Sequence, residues 1–394
     1  MSQHASEPSA TRNYRALIVR LGVWVCRFVC GGLFIFSGFV KAIDPWGTLF
    51  KIDEYLAAFG MPLPYALLRL IVFGLCAIEF IVGCFLLMGC FRKSCPVFAG
   101  LIMVFMLPLT LWIAIENPVA DCGCFGDALI ISNWLTFWKN VVLSAGIVFL
   151  IRYNLNGICL ITPAFQWLAV VASGLFIVII EMVGFFYQPL LDFRDYPVGN
   201  TLFAGNDGDD YHGIDVFDVD SGDDRNEEAM QPTGKELVVM IPKVALVSPA
   251  TTWKLNSLYE WAQENDVKMI GVVSGSAEEI AEWEDLSMTD YPIYFADDTA
   301  IKEVVRGNPG IVYLENGKII WKSTLSAIDV DDFLSPEVGG DASAFANDNP
   351  RILLNLSFIY LMVIAFLIFI SFTPRMASML MRGGLHARRG VRHH

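Results

Sequence analysis

Six long apolar stretches constrain this chain more than any other feature of it: Val23–Ala42, Ala66–Leu87, Cys95–Ile115, Trp134–Ile151, Phe165–Phe186 and Ile352–Phe372. A helix rising about 1.5 Å per residue crosses the hydrocarbon core of a bilayer in roughly 20 residues, and each stretch is close to that length. With 55% hydrophobic and 17% charged residues, the sequence is too apolar for an ordinary soluble protein. The expected class is an α-helical polytopic membrane protein in contact with lipid. The polar lead at residues 1–16 has no signal-peptide pattern, and the first apolar run is long enough to span.

Basic residues of short loops set orientation. Threading the six spans alternately puts Arg12, Arg15, Arg20, Arg92, Lys93, Arg152, Arg375, Arg382, Arg388, Arg389 and Arg392 on one side. Both termini are then expected in the cytoplasm of a bacterial cell, with the chain in the inner membrane. The 41–64 loop, the loop around Cys122 and everything from about 188 to 350 are expected in the periplasm. Charge divides the same way. Asp192–Asp348 holds 32 acids against 10 bases, a net of −22 in a chain whose total is −14. An acidic ectodomain of this kind argues against nucleic acid as a partner.

The nine cysteines sort by position. Cys26, Cys30, Cys76 and Cys84 lie inside spans and read as small packing residues, Cys26 and Cys30 sharing a helix face. Cys90, Cys95 and Cys159 lie near the expected cytoplasmic ends. Only Cys122 and Cys124, in "ADCGCFGDA", are both external and adjacent. An oxidising compartment allows a disulfide there, and a tight, exposed one tends to be labile. Three readings stay open: a redox pair, a static staple or idle thiols, and a metal site. The last lacks nearby third and fourth ligands, so no metal is expected. Lys41 follows the first span, where a cation near Cys122 would favour the thiolate; Asp44 reads as a cap, and Pro45 as the helix terminator. Trp46, Tyr55, Phe59 and Tyr65 read as an interfacial aromatic belt.

Two motifs carry a resemblance. "GGLFIFSGFVKAIDPWG" at 31–47 resembles the first helix and following loop of DoxX-like membrane proteins, and "DCGCFGD" resembles the related methylamine-utilisation MauE group. The similarity spans residues 17–152 and implies a four-helix membrane bundle. It further implies the forming or processing of disulfides in periplasmic proteins, with quinone as the electron acceptor. No residue pattern here marks a quinone or any other cofactor. Within the bundle, Arg27 lies 14 residues inward from Lys41 and Glu79 lies 14 inward from Tyr65, so both are expected roughly 21 Å below the outer boundary. Buried charges seek partners, and an Arg27–Glu79 ion pair is the expectation.

After the fifth span (165–187), residues 188–234 are strongly acidic and read as a flexible linker or insertion. From Lys235 the pattern becomes α/β. "ELVVMIPKVALV" reads as one or two strands, followed by a helix near Trp253–Glu264 and the strand "VKMIGVVS". Ser276 and Glu279 form a capping box, Asp297 or Asp298 starts another helix, and Asn316-Gly317 turns a hairpin. Residues 235–334 therefore resemble the thioredoxin superfamily, with Pro309 where that family carries its cis-proline. The departure is chemical. "SPATTW" stands where Cys-x-x-Cys would, so Ser248, Thr251 and Pro309 are expected to bind an extended peptide or partner rather than exchange disulfides. The sixth span (352–372) and a basic tail (373–394) complete the chain.

The leading functional expectation is thiol–disulfide exchange at Cys122/Cys124 with thiol-bearing exported proteins. A non-enzymatic scaffold whose ectodomain recruits a partner, and a small-solute transporter lined by Arg27 and Glu79, stay open beside it.

Overall fold

The computed structural model describes residues 9–118, 122–202, 213–333 and 349–390. The first eight residues of the lead, residues 203–212 of the acidic segment and the last four of the tail fall outside these. The chain divides into two compact units.

The first unit is helical and takes in the chain to Ala42, Thr48–Ile180 and the C-terminal helix from Leu354. Its helices are α1 (Ser9–Ile43), α2 (Pro45–Ala58), α3 (Tyr65–Met88), α4 (Ser94–Glu116), α5 (Asn133–Tyr153) and α6 (Pro163–Phe186). Among the described residues six helices, α2 not among them, are long and apolar enough to cross a membrane, including Asn349–Thr373 near the C-terminus. This is a multi-pass membrane protein. Exposed Phe28, Leu70 and Val104 are the side chains lipid covers. The first helix ends at Ile43, just before the expected terminator Pro45, but the rest of the 41–64 stretch was expected as a loop. Instead Pro45 opens α2, where its missing N–H costs nothing, and the Asp44 carboxylate accepts from Gly47 N over 3.0 Å.

Glycines set how α1 lies on α3. A Cβ at Gly83 would stand 2.5 Å from Ile35 N, one at Gly38 2.5 Å from Phe80 N, and one at Gly31 2.9 Å from Leu87 N. The two backbones touch because no side chain separates them. This register overturns the expected Arg27–Glu79 pair. The helices were placed as if their outer ends were level, whereas the glycine contacts shift them by about twelve residues, roughly 18 Å. Residue 79 consequently meets Lys41, and Arg27 meets the far end of α3.

The second unit comprises Ile43–Gly47 and Glu181–Leu353. Its strands are β1 (Phe217–Asp218), β2 (Lys235–Ile241), β3 (Lys268–Val273), β4 (Ile293–Phe295), β5 (Gly310–Glu315) and β6 (Lys318–Thr324). They form one mixed sheet in the order β1-β4-β3-β2-β5-β6. β2, β3 and β4 run parallel, and β5 and β6 return antiparallel. Central β2 is buried on both faces, which is why it reads as an unbroken apolar run. Leu237, Val239 and Ile241 meet Trp261 and Trp283 on one side; Val238 and Met240 meet Ile301 and Val304 on the other.

The connecting helices are α7 (Asn226–Ala229), α8 (Pro249–Glu264), α9 (Ala277–Ser287), α10 (Asp298–Val304) and α11 (Val330–Phe333), with α12 (Asn349–Gly390) last. Ser276 and Glu279 close the expected capping box and Asp297 caps α10. Asn316 and Gly317, both at positive φ, turn the β5–β6 hairpin. The second half of "ELVVMIPKVALV" is a 3₁₀ turn at Val244–Leu246 rather than a strand.

Residues 188–234 do not behave as a linker where they are described. Gly199 and Leu202 donate to Ile319 and Gly317 beside β6, while β1 adds to β4 at the opposite edge. Ile214, Val216, Ala229 and Met230 are buried in the core. The acidic count hid these apolar residues, and both sheet edges offered backbone groups needing partners.

Candidate thiol site

The site starts from the short connection between α4 and α5. Gly123 adopts φ +62°, a conformation that costs a residue with a Cβ but not glycine, and it turns the chain between the two cysteines. Their Sγ atoms come to 2.9 Å. Two hydroxyls hold the cysteine carbonyls: Tyr55 of α2 donates to Cys122 O over 2.7 Å, and Ser37 of α1 donates to Cys124 O over 2.7 Å. Cys122 packs on Ile113, with Leu109 and Trp112 alongside.

Beneath Cys124 lies a polar cluster. Lys41 Nζ reaches both oxygens of Glu79, and Ser37 Oγ lies 2.8 Å from Glu79 Oε2. Lys139, on the first turns of α5, places Nζ 4.2 Å from the Phe125 ring centroid. Ser37, Lys41, Glu79, Cys124, Lys139 and Asn140 share the wall of a cavity of about 40 Å³. That volume admits water and no organic ring.

Electrostatics make the two thiols unequal. The hydrogen bond from Cys122 brings the Cys124 thiol down to about 6 against the cost of burial, and Lys139 and Lys41 reinforce the shift. Cys122, as the donor and itself desolvated, is raised. The ionised form of Cys124 is thus the one that the neighbouring thiol and the charges of Lys139 and Lys41 favour. This arrangement supports nucleophilic attack on a disulfide.

Residues 19–153 match the family model described as Methylamine utilisation protein MauE. Over these residues, from α1 to α5, the chain is similar to that family. The match takes in Ser37, Lys41, Tyr55, Glu79, Cys122, Cys124 and Lys139, so the whole cluster belongs to the MauE-like segment. No curated protein and no solved structure matches the chain.

Of the expected site residues, Lys41, Cys122, Cys124 and Glu79 come together in the MauE-like bundle. Arg27 does not. It sits about 14 residues along α1 from Lys41, roughly 21 Å away, hydrogen-bonded to Asn154 and Ile158. Arg27 and Glu79, which the transporter reading put on one path, are therefore not neighbours and have separate partners. In the second unit, Thr251 N and Oγ1 donate to Ser248 O at the start of α8. Asn308, whose bond to Pro309 is cis, pairs its side-chain amide with both backbone groups of Lys243.

Ser37, Tyr55 and Lys139 were missed. Ser37 lies one turn from Lys41 on the same face of α1, a spacing that could have revealed it. Tyr55, read as part of an interfacial belt, also donates its hydroxyl to Cys122 O; of the other belt residues, Trp46 stacks on Phe185 at 4.6 Å and Phe59 on Trp112 at 4.5 Å. Lys139 carried no signal, because only the fold of the Cys122 loop brings it near.

Proposed function

We propose that the protein is a thiol–disulfide oxidoreductase of the bacterial inner membrane, acting through Cys122 and Cys124 on thiols of exported proteins at the periplasmic face. The observation that carries this reading is the contact between the two sulfurs beside Lys41 and Lys139, with Cys124 as the thiolate. Cys124 is also the more exposed of the two. It is the sulfur that forms the mixed disulfide with substrate, and Cys122 is the resolving thiol.

In the oxidising direction, one substrate thiolate attacks Cys124 and releases Cys122. The second substrate thiolate then attacks its own mixed-disulfide sulfur and releases Cys124 as a thiolate beside the cations. The substrate leaves with one new S–S bond, and the pair holds two electrons and two protons. A membrane quinone, were it bound, would supply the acceptor for these two electrons and two protons. The 40 Å³ cavity excludes such a ring. A second cavity of about 350 Å³, lined by Phe39, Phe80, Phe176 and Tyr360, has the size and apolar character for one.

In the second unit, the strand order and the antiparallel β5–β6 hairpin support a thioredoxin-like ectodomain. With no cysteine in it, its role is to hold a partner near Ser248, Thr251 and Pro309.

The test is trapping in native membranes. Cys122→Ser removes the resolving thiol, and non-reducing gels should show a reducible higher-mass adduct absent from the double cysteine variant. Cys124→Ser should trap far less. If neither single variant traps a partner and both keep full function in cells, the thiols are idle and the scaffold reading takes over.

A further inference from the structure

Cys90 and Cys159 lie at the end of the bundle opposite Cys122 and Cys124, one after α3 and the other between α5 and α6. The backbone clamps these two connections together, Leu160 N donating to Met88 O over 2.9 Å. The Cys90 thiol is within hydrogen-bonding reach of Cys159 Sγ, and Gln166 Nε2 donates to that same sulfur over 3.2 Å. Both cysteines are buried.

Arg27 fills the space between the neighbouring glycines: a Cβ at Gly89 or Gly157 would collide with its guanidinium. It is fully buried. Nε donates to Asn154 Oδ1 over 2.7 Å, Nη1 to Ile158 O over 2.5 Å and Nη2 to Asn154 O over 3.1 Å. All three acceptors are neutral, and among the described residues no carboxylate forms an ion pair with Arg27. A buried cation without a counter-anion is costly. The ionisable groups facing it are the thiols Cys159, Cys90 and Cys95, with Arg92 as a second cation. A thiolate here would supply the missing negative charge. The layout repeats the one at the other end, where two touching thiols stand beside buried or half-buried cations.

We infer that Cys90 and Cys159 form a second, independent thiol–disulfide centre, whose reduced thiolate form Arg27 stabilises and which exchanges with small-molecule disulfides. Burial of both sulfurs excludes a protein disulfide as the partner. The 21 residues of α5 separate the two ends by roughly 30 Å, so the two pairs cannot exchange with each other directly. In the exchange, the Cys159 thiol, which donates to Ile161 O over 2.7 Å, gives up that proton, and its sulfur attacks one sulfur of the incoming disulfide and expels the other half as a thiolate. The Cys90 thiolate then attacks Cys159 in the mixed disulfide and releases the second half. One S–S bond breaks and one forms; the small disulfide gains two electrons and two protons, which the pair loses.

The full-length protein in native membrane vesicles, equilibrated with set ratios of oxidised to reduced glutathione, acid-quenched and alkylated, tests this by peptide mass spectrometry. A Cys90–Cys159 linked peptide should appear and disappear reversibly with the ratio, and should persist in the Cys122→Ser/Cys124→Ser variant. Arg27→Gln removes the cation from the reduced state, so the linked peptide should reach half-occupancy at a tenfold or more lower ratio. Arg27→Lys, which keeps the charge, should stay within about threefold of the parent. No linked peptide at the most oxidising ratio, a linked peptide indifferent to the ratio, or a midpoint unmoved by Arg27→Gln overturns the proposal. If Arg27→Gln fails to accumulate, the parent titration decides alone, with Cys90→Ser as the control that must abolish the peptide.

Discussion

Lys41 Nζ lies 2.9 Å from Oε1 and 2.8 Å from Oε2 of Glu79, and both side chains are buried. The desolvation of two charges is offset only while both are present, so breaking the pair costs more than deleting it. Glu79→Gln should lower stability by about 3–5 kcal/mol, whereas Lys41→Met with Glu79→Leu should recover most of that. Thermal unfolding in detergent measures it. A neutral single variant would mean that the contact contributes nothing to the fold.

The Cys124 thiol, held down to about 6 chiefly by the hydrogen bond from Cys122, gives a pH signature. In the reduced protein its alkylation rate should rise through pH 6 and level off near pH 7. Cys122→Ala, which removes that donor, should move the midpoint up towards the ordinary thiol value. The sign for stability follows by linkage. The folded thiol binds fewer protons than the unfolded one between about pH 6 and 9, so the reduced protein gains stability as pH rises across that window and loses it on the way down. An alkylation profile centred near 9 in the parent would leave Cys124 without its assigned role.

Backbone contact between α1 and α3 depends on Gly83. A Cβ there meets backbone atoms, Ile35 N at 2.5 Å and Gly31 O at 2.8 Å, neither of which can swing aside. Gly83→Ala should cost about 1–3 kcal/mol, as overpacking does. Gly74→Ala on the same helix, with nothing within 4 Å, should be neutral or slightly stabilising. Comparing the two melting temperatures separates crowding from helix propensity.

Topology is the condition for the redox reading. A reporter fused after Pro336 should signal from the periplasm, and one fused after Arg375 should signal from the cytoplasm. The reverse pattern would place Cys122 and Cys124 in a reducing compartment and withdraw the proposed activity.

The spans, the α/β alternation from Lys235 and the hairpin at Asn316-Gly317 were legible because each rests on local pattern: sustained hydropathy, burial period or turn chemistry. The Cys-Gly-Cys pair was legible for the same reason. Helix register was not. Depth counted from span ends assumes level helices, and only the contacts of Gly31, Gly38 and Gly83 fix the true offset, so Glu79 was assigned to Arg27 rather than Lys41. Segment 188–234 misled by composition, since a few apolar residues such as Ile214 and Val216 suffice to bury a stretch whose other residues are acidic. The bond from Tyr55 to Cys122 O was not legible, because a hydroxyl aimed at a distant carbonyl leaves no trace in spacing.

The two hydroxyl clamps on the cysteine loop come from different helices, Ser37 from α1 and Tyr55 from α2. The separation of the sulfurs is therefore tied to the spacing of those helices. Tilting α2 against α1 by even an ångström would pull one carbonyl and not the other, stretching or relaxing the pair. The loop acts as a strain gauge mounted across a helix joint, and the ease of closing its S–S bond reports how that joint is set.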